Sequence, residues 1–232
     1  MSGTLLITGA NRGIGLEFVR QYDAEGWRIH ATCRSPENAH ELGALAAASA
    51  GRISLHPLDV TRPAQIEMLA AVLADEPIDI LLNNAGVYGP EGARFGQLEP
   101  QGWLDTLTVN TIAPIKLMEA LVDRVAASER RIVASISSKM GSIADNTSGG
   151  SYIYRSSKAA LNAAMKSASI DLAPRGVICV ILHPGWVRTD MGGPDAEITV
   201  GESVTGMRAI LDRVTAADIG SFFDIDGSVI PW

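Results

Sequence analysis

The chain has 232 residues, enough for one α/β domain with a sizeable hydrophobic core. Hydrophobic residues make up 47% of the chain and charged residues 19%, a composition that excludes an intrinsically disordered protein. The formal net charge is -7 and no basic run exceeds Arg130-Arg131, so we expect no nucleic-acid partner.

The cysteines and the apolar pattern bear on the cellular compartment. Cys33 and Cys179 lie in apolar stretches far apart in sequence, and we expect both to be reduced core thiols. No apolar stretch approaches the length of a membrane span, and Met1–Leu5 lack the charged and apolar segments of a signal peptide. We therefore expect a soluble, cytoplasmic protein.

The chain opens with a predicted strand, a glycine-rich turn and a helix. Thr4–Thr8 are apolar and β-rich, and an amphipathic run reaches Glu25. The turn between them reads Thr8-Gly9-Ala10-Asn11-Arg12-Gly13-Ile14-Gly15. Glycines let the backbone approach a phosphate closely, and the helix N-terminus adds a partial positive charge. A tight turn without a ligand is the alternative.

Two arginines lie where a dinucleotide would place its adenosine ribose. The second strand, Trp27–Cys33, ends at Arg34, and no acidic residue appears before Glu37. In dinucleotide folds an acid near this strand end binds the ribose hydroxyls of NAD, whereas a guanidinium suits a 2′-phosphate. Arg12, inside the glycine turn, could reach the same phosphate. The pair indicates NADP(H), and two solvated arginines are the alternative.

Five further strands are expected along the chain, at Arg52–Leu58, Ile78–Leu82, Arg131–Ile136, Val177–Leu182 and Ser221–Ile225. Helices are expected at about Ser35–Ala50, Pro63–Ala74, Gln101–Ala127, Tyr154–Pro174 and Glu202–Val214. Strands that alternate with helices predict a doubly wound parallel sheet with helices on both faces. The fold class is therefore α/β, with seven strands in a single Rossmann-fold domain over residues 1–232.

Polar or small residues follow four of the later strands. They are Asp59-Val60-Thr61, Asn83-Asn84-Ala85-Gly86, Ser137-Ser138 and His183-Pro184-Gly185-Trp186-Val187. Ligands of doubly wound sheets bind beyond the carboxyl ends of the strands. Because all these polar segments follow strand ends, we predict a single dinucleotide site at the carboxyl edge of the sheet. A helix-capping turn is the alternative for the asparagine pair.

The segment Tyr154-Arg155-Ser156-Ser157-Lys158 contains a candidate proton donor. If a helix opens at Ser156–Lys158, Tyr154 and Lys158 lie one turn apart on the same face. A nearby ammonium ion favours tyrosinate and so lowers the pKa of a phenol from its ordinary ~10. Ser138 lies sixteen positions before the tyrosine. The spacing alone is common by chance, and an exposed helix turn is the alternative.

Together these motifs, with Asn110 and Pro184-Gly185, resemble the short-chain dehydrogenase/reductase family. The match runs from Thr4 through the final strand in the order of the family. The segments 137–145 and 222–232 resemble the branch of sniffer-type carbonyl reductases and bacterial C-factor proteins. The resemblance implies a Rossmann fold and NADP(H) as the cofactor, with no metal. It also implies a homo-oligomer, expected to be a dimer.

The resemblance also assigns roles to single residues. Tyr154 would donate a proton to a carbonyl oxygen, and Lys158 would hold the nicotinamide ribose and lower the tyrosine pKa. Ser138 would hydrogen-bond the substrate oxygen, and Asn110 would kink its helix and hold a proton-relaying water. Without these motifs, Asn110 would be interpreted as a polar residue that faces solvent.

The resemblance implies that the cofactor is bound by Gly9, Asn11, Arg12, Gly13, Ile14, Gly15, Arg34, Asp59, Val60, Asn83, Asn84, Ala85, Gly86, Tyr154, Lys158, Pro184, Gly185, Val187 and Thr189. In that assignment Asp59 and Val60 contact adenine, and Val187 and Thr189 hold the carboxamide. The loops at the strand ends, including about 184–201, form the substrate region. The expected walls of an apolar pocket are Tyr88, Met140, Tyr152, Trp186 and Met191.

The number of residues between Ser138 and Tyr154 differs from the usual spacing in the family. It is larger here than in most members, and Tyr152 would fit the usual spacing better. Lys158 would then be six residues from the tyrosine and off its helical face. We therefore assign Tyr154 as the donor, interpret residues 146–150 as a longer loop, and place Tyr152 on the loop as a pocket wall.

Three functions remain open at this point. The first is an NADPH-dependent carbonyl reductase that acts on an aldehyde, ketone or quinone. The second, an NAD-dependent alcohol dehydrogenase, is disfavoured by Arg34. The third is a nucleotide-binding signalling protein of the C-factor kind, because a fold and its motifs can outlive one role and acquire another. Consumption of NADPH with a panel of carbonyl compounds would discriminate them.

Overall fold

A computed structural model describes residues 3–74 and 76–232 of the chain. Met1, Ser2 and Asp75 lie outside the described residues, so the expectations for a signal segment at Met1–Leu5 and for a domain over 1–232 include positions without a structural account. In the described ranges, no helix combines the length and the apolar character that crossing a membrane requires.

A seven-stranded parallel sheet forms the centre of the molecule. Its strands are β1 (Thr4–Thr8), β2 (Arg28–Cys33), β3 (Ile53–Pro57), β4 (Ile80–Asn83), β5 (Ile132–Ile136), β6 (Ile178–Leu182) and β7 (Phe222–Phe223). The spatial order is β3-β2-β1-β4-β5-β6-β7, and every neighbouring pair is parallel. The order reverses between β1 and β4, as in a doubly wound fold. The predicted fold class is confirmed.

Helices cover both faces of the sheet. They are α1 (Gly13–Ala24), α2 (His40–Ala48), α3 (Pro63–Val72), α4 (Pro100–Leu107), α5 (Ala113–Ala126), α6 (Tyr152–Leu172) and α7 (Val200–Arg213). One core joins the sheet to α1, α2 and α7, and a second joins it to α3, α5 and α6. Leu5 and Ile7 face the first core, whereas Leu6 between them faces the second. Burial on both faces explains why these strands read as continuous apolar runs.

The helix predicted over Gln101–Ala127 consists of three parts. A π-helical turn, Thr108–Ile112, separates α4 from α5 and contains Asn110. Pro114 has no N–H to donate to the carbonyl of residue 110, and its ring would clash with that carbonyl in a regular α-helix. The wider turn relieves this conflict. Asn110 is 1% exposed, so the solvent-facing alternative is wrong.

Other boundaries shift by a few residues. The helix predicted over Ser35–Ala50 begins as a 3₁₀ turn at Pro36–Asn38, and α2 itself starts at His40. β7 is shorter than predicted, and α6 starts at Tyr152 rather than near Tyr154. Cys33 and Cys179 are unpaired and buried, which confirms the prediction of two core thiols.

Candidate active site

The glycine turn after β1 is too tightly packed for side chains. Gly9 and Gly13 have positive φ angles of 68° and 54°, which favour glycine. A Cβ atom on Gly15 would lie 2.2 Å from the Gly9 carbonyl oxygen, and one on Gly9 would lie 3.0 Å from the Ala85 Cα. Among the residues that the structure describes, no side chain caps the N-terminus of α1 that follows. This uncapped helix end beside bare backbone fits a phosphate group.

Hydrogen bonds fasten the glycine turn to the end of β4. The Asn84 Nδ2 donates to the carbonyl oxygens of Thr8 (2.8 Å) and Gly9 (3.1 Å). The Thr8 Oγ1 accepts from the backbone N–H groups of Asn84 and Ala85, both at 3.0 Å. The asparagine pair is therefore not a helix cap. Thr8 was not singled out from the sequence, although parallel neighbours bring its strand end to Asn84.

The neighbouring Asn83 is buried and holds a different contact. Its Nδ2 donates to the Ser135 Oγ on β5 at 3.3 Å. Its Oδ1 is a buried oxygen without a hydrogen-bond partner among the described residues. Asn83 thus joins β4 to β5 near the carboxyl ends of these strands. The contact with the ribose stays a prediction.

The two predicted phosphate-binding arginines are both exposed. Arg34 follows β2 as predicted, whereas the Arg12 Nη1 forms an ion pair with the Asp190 Oδ2 at 2.6 Å. Asp59 lies beyond β3, and the hydrogen bond from the Thr61 hydroxyl holds its pKa below the ordinary value, with a smaller contribution from Arg34. Arg34 therefore lies near Asp59, and its convergence with Arg12 on one phosphate stays a prediction.

Tyr154 and Lys158 lie on the buried face of α6, with 8% and 5% exposure. The Lys158 Nζ is 5.8 Å from the centroid of the Tyr154 ring and donates to the Ile136 carbonyl oxygen at 2.9 Å. That carbonyl ends β5, so the lysine joins the helix to the strand that delivers Ser138. The structure places Tyr154 beside the ammonium group, as the helical spacing predicted.

Burial dominates the protonation of both groups. It raises the pKa of Tyr154 to about 12, a shift that the hydrogen bond with the Ser138 hydroxyl reduces. It also lowers the pKa of Lys158 to about 8. The shift of the Tyr154 pKa is opposite to the one expected beside an ammonium ion, because the cost of removing the tyrosinate charge from water is its largest cause. The phenol is therefore protonated at neutral pH, the form that a proton donor needs.

Ser138 lies at the end of β5 beside Tyr154, and the loop after it leads to α6. The Ser138 Oγ accepts from the backbone N–H of Met140 at 3.2 Å, which fixes the hydroxyl at the end of β5. Gly149 and Gly150 are exposed with positive φ angles, in the loop interpreted as an insertion. Tyr152 is the first residue of α6 rather than a loop residue. Its ring centroid lies 5.9 Å from that of Phe95.

The side chain of Asn110 ties the loop after β4 to α6. Its Oδ1 accepts from the Val87 N–H at 2.9 Å, and its Nδ2 donates to the Val87 carbonyl (2.8 Å) and to the Ser157 Oγ (2.9 Å). A Cβ on Gly86 would lie 3.3 Å from this Oδ1 and 3.6 Å from the Lys158 Nζ. Ser157, which the sequence did not single out, completes the network. The predicted water relay remains a prediction.

The segment after β6 folds back beside the glycine turn. Val187 is buried and pairs with Ile198, and the Thr189 Cγ2 lies 3.6 Å from where a Cβ of Gly13 would be. The Pro184 carbonyl accepts from the Ser203 Oγ at 2.5 Å. Gly185 has a φ of 78°, and a Cβ there would lie 2.6 Å from the Ile198 Cδ1.

The predicted pocket walls differ in exposure. Tyr88, Tyr152, Trp186 and Met191 are exposed, whereas Met140 is half-buried. The Trp186 Nε1 donates to the Gly192 carbonyl at 2.8 Å, which holds the indole across the short loop. The predicted substrate side is therefore open and rich in apolar and aromatic surface.

Comparisons with known proteins agree with this arrangement. The family model described as short chain dehydrogenase matches residues 3–198. C-signal from Myxococcus xanthus is 46% identical over 156 residues, covering 67% of this chain and 93% of that protein. The solved carbonyl reductase Sniffer of D. melanogaster is 37% identical, with a TM-score of 0.93 and 100% coverage of both chains. The NADPH-bound carbonyl reductase from chicken fatty liver is 36% identical, with a TM-score of 0.93 and coverage of 99% and 98%.

The buried lysine predicts a pH-dependent penalty to stability. Burial depresses the pKa of Lys158, so the folded state is disfavoured while this group is charged, below about pH 8. Wild-type stability should rise between about pH 8 and 10.5, where the unfolded chain still binds the proton. Lys158→Met should raise the free energy of unfolding by about 1–3 kcal/mol at neutral pH, and the gain should shrink at about pH 9.5. Urea unfolding measures both values.

The matched control is Lys166→Met, which removes an exposed lysine from the same helix. Its effect should not change between the two pH values. Destabilisation by Lys158→Met at neutral pH, or a gain that does not depend on pH, would contradict the prediction.

Proposed function

The chain belongs to the short-chain dehydrogenase/reductase family, and on that premise we propose that it is an NADPH-dependent carbonyl reductase for a hydrophobic aldehyde, ketone or quinone. It is an NADP(H)-dependent oxidoreductase that acts on carbonyl or alcohol groups. The observation that carries the proposal is the buried constellation of Tyr154, Lys158 and Ser138. A protonated phenol and a serine hydroxyl meet there at the carboxyl edge of the sheet.

The residues at the sheet edge fit a dinucleotide phosphate. The glycine turn brings backbone without side chains to the uncapped end of α1, and Arg34 offers an exposed cation at the end of β2. A guanidinium at this place suits a 2′-phosphate better than ribose hydroxyls. The remaining contacts in the proposal are Asp59 and Val60 at adenine, residues 83–86 at the ribose, and Val187 and Thr189 at the carboxamide.

The side chains of this chain supply the proton and the electrostatic part of the reaction. When bound, NADPH provides the hydride for the carbonyl carbon. Ser138 donates a hydrogen bond to the carbonyl oxygen, and Tyr154 transfers its phenolic proton to that oxygen as negative charge develops. Lys158 stabilises the resulting tyrosinate with its ammonium group. The low exposure of both groups strengthens this interaction because water is excluded.

Two other functions are distinguished by direct measurement. The likeness to C-signal favours a nucleotide-binding signalling protein as the second candidate. Such a protein would bind NADPH without reducing any member of a panel of ketones, aldehydes and quinones. An NAD-dependent alcohol dehydrogenase would instead oxidise alcohols with NAD⁺ in preference to NADP⁺. Oxidation of NADPH with at least one carbonyl compound, followed at its absorbance, supports the reductase.

The cofactor preference should depend on Arg34. Arg34→Asp removes a charge-assisted contact to the 2′-phosphate and adds repulsion, so it should weaken NADPH binding by roughly 1.5–3 kcal/mol, about tenfold or more. The preference should move towards NADH, measured as kcat/KM for each cofactor. Arg175→Asp makes the same charge change just before β6, at the opposite edge of the sheet, and should not alter the preference. Equal kcat/KM for NADPH and NADH in the unmutated protein would contradict the predicted preference for NADPH.

The assignment of the proton donor separates two nearby tyrosines. Tyr154→Phe removes the phenolic proton and keeps the ring, so kcat should fall by ~10²–10⁴-fold with NADPH affinity nearly intact. Tyr152→Phe should change KM modestly and leave a measurable kcat, because Tyr152 starts α6 and contacts Phe95. Steady-state kinetics and NADPH titration measure the two effects. The reverse pattern would assign Tyr152 as the donor.

We also propose that the chain forms a homodimer through the outer faces of α5 and α6. Ala163 is exposed on α6, while Ala159, Ala160 and Ala164 are half-buried. Leu104 in α4 and Ile112 in the π turn before α5 add large exposed apolar side chains. Small residues let two helices approach closely across a two-fold axis. An Ala-rich helix buried only against its own sheet is the alternative.

Light scattering at micromolar concentration should give the mass of a dimer. Ala163→Arg should shift the protein to the monomer, because a long charged side chain would enter the contact between helices. Ala48→Arg, on the exposed surface of α2, is the matched control and should leave the mass unchanged. A monomeric mass of the unmutated protein would end the proposal.

A further inference from the structure

Tyr88 follows β4 and lies between two residues, Val87 and Gly89, whose backbone positions are fixed by contacts. Both backbone hydrogen-bonding groups of Val87 are bonded to the side chain of Asn110. Gly89 has a φ of 98°, and a Cβ there would lie 3.0 Å from the Thr106 Oγ1 and 3.1 Å from the Ile153 Cγ2. The position of Tyr88, between these two fixed residues, is therefore set by the backbone.

The side chain of Tyr88 makes two contacts with α6. Its ring stacks on the ring of Tyr154, with centroids 4.6 Å apart and an angle of 24° between the planes. Its hydroxyl shares a hydrogen bond of 2.8 Å with the Ser151 Oγ, just before the first turn of the helix. Tyr88 is 45% exposed, whereas Tyr154 is 8% exposed. Tyr88 therefore lies between Tyr154 and solvent.

We propose that Tyr88 is a positioning residue of the reductase, which fixes the ring of Tyr154 and shields one face of it from water. The role rests on the proposed function, in which Tyr154 is the proton donor. A pocket wall would present its ring and hydroxyl to a substrate. Tyr88 instead has its ring against Tyr154 and its hydroxyl on Ser151. An offset stack of this kind resists rotation of the ring beneath it.

The shielding has a consequence for the pH dependence of the reaction. Burial is the largest cause of the raised pKa of Tyr154, and Tyr88 adds a smaller effect in the same direction. In the described residues, Tyr88 and Lys158 are the titratable side chains identified at this ring, while Ser138 contributes a neutral hydroxyl. Removing the Tyr88 ring admits water and favours tyrosinate. The donating form should then be lost at a lower pH.

Three variants test the role with NADPH and 4-nitrobenzaldehyde as the probe. Tyr88→Ala should lower kcat by roughly threefold to tenfold, the effect of losing an aromatic pair. It should also move the pH profile of Tyr154 ionisation, followed as the tyrosinate absorbance relative to the same variant carrying Tyr154→Phe, to lower pH. Tyr88→Phe keeps the stack and loses the bond to Ser151, so it should stay within about twofold of the wild type. Phe95→Ala removes another ring of this loop and should leave the pH profile unchanged.

A labelling experiment tests the contact without turnover. N-acetylimidazole acetylates accessible tyrosine hydroxyls, and peptide mass spectrometry reports the rate at Tyr154. The rate should rise several-fold in Tyr88→Ala and stay near the wild-type rate in Tyr88→Phe. Circular dichroism confirms that each variant is folded, and Tyr88→Leu replaces Tyr88→Ala if the latter does not fold.

Three results would overturn the role of Tyr88. They are a raised KM with unchanged kcat and pH profile in Tyr88→Ala, equal losses in Tyr88→Ala and Tyr88→Phe, and unchanged labelling of Tyr154. If the unmutated protein oxidises NADPH with no carbonyl compound, the proposed function fails instead. The labelling rates would then still decide whether Tyr88 shields Tyr154.

Discussion

The hydrogen bonds between Thr8 and Asn84 join the sheet where its strand order reverses. At this point α1, which follows β1, packs on one face of the sheet, and α5, which follows β4, packs on the other, which leaves a gap between the loops at the two strand ends. Asn84 closes this gap by donating two hydrogen bonds to backbone carbonyls, and the Thr8 Oγ1 accepts two more from the N–H groups of Asn84 and Ala85. The glycine turn, and with it the start of α1, is held at the distance that these four bonds allow.

A second set of contacts connects this edge to α6. Asn110 bonds the loop after β4 on one side and Ser157 on the other, and Ser157 Oγ donates to the Tyr154 carbonyl at 2.8 Å. Lys158 adds its bond to the end of β5. Because these polar groups are buried, losing one partner leaves another unsatisfied. The proposed reacting groups are therefore positioned by a connected network rather than by isolated side chains.

The sequence predicted the parts of the site that depend on local spacing. The glycine turn between β1 and α1 is local, and so is the helical spacing that puts Tyr154 and Lys158 on one face. The alternation of strands and helices was sufficient for the sheet. These features need only the geometry of one turn or one strand, which the residue pattern determines.

The remaining features depend on contacts between distant segments. Nothing near Tyr88 in sequence indicates that its ring will stack on Tyr154, sixty-six positions later. The pKa of Tyr154 depends mainly on how much water the folded chain removes from the phenol, which the spacing to Lys158 does not indicate. The resemblance implied a kink at Asn110, but the residue pattern alone did not predict the π turn there, because the propensity of asparagine indicates only a weak helix. Pro114, four residues further on, carried the signal.

That π turn makes the phase of a long helical segment depend on one residue. Each residue of an α-helix adds 100° of rotation and 1.5 Å of rise. A π turn contains one residue more than an α turn, so winding the same residues of Thr108–Ile112 as regular α-helix would rotate α4 by about 100° relative to α5. The buried stripe of Leu117, Leu121 and Val125 would hold α5 on the sheet, so α4 would turn instead. Insertions and deletions here therefore act on the whole helix pair, and natural length variation should be concentrated in the exposed loops on either side.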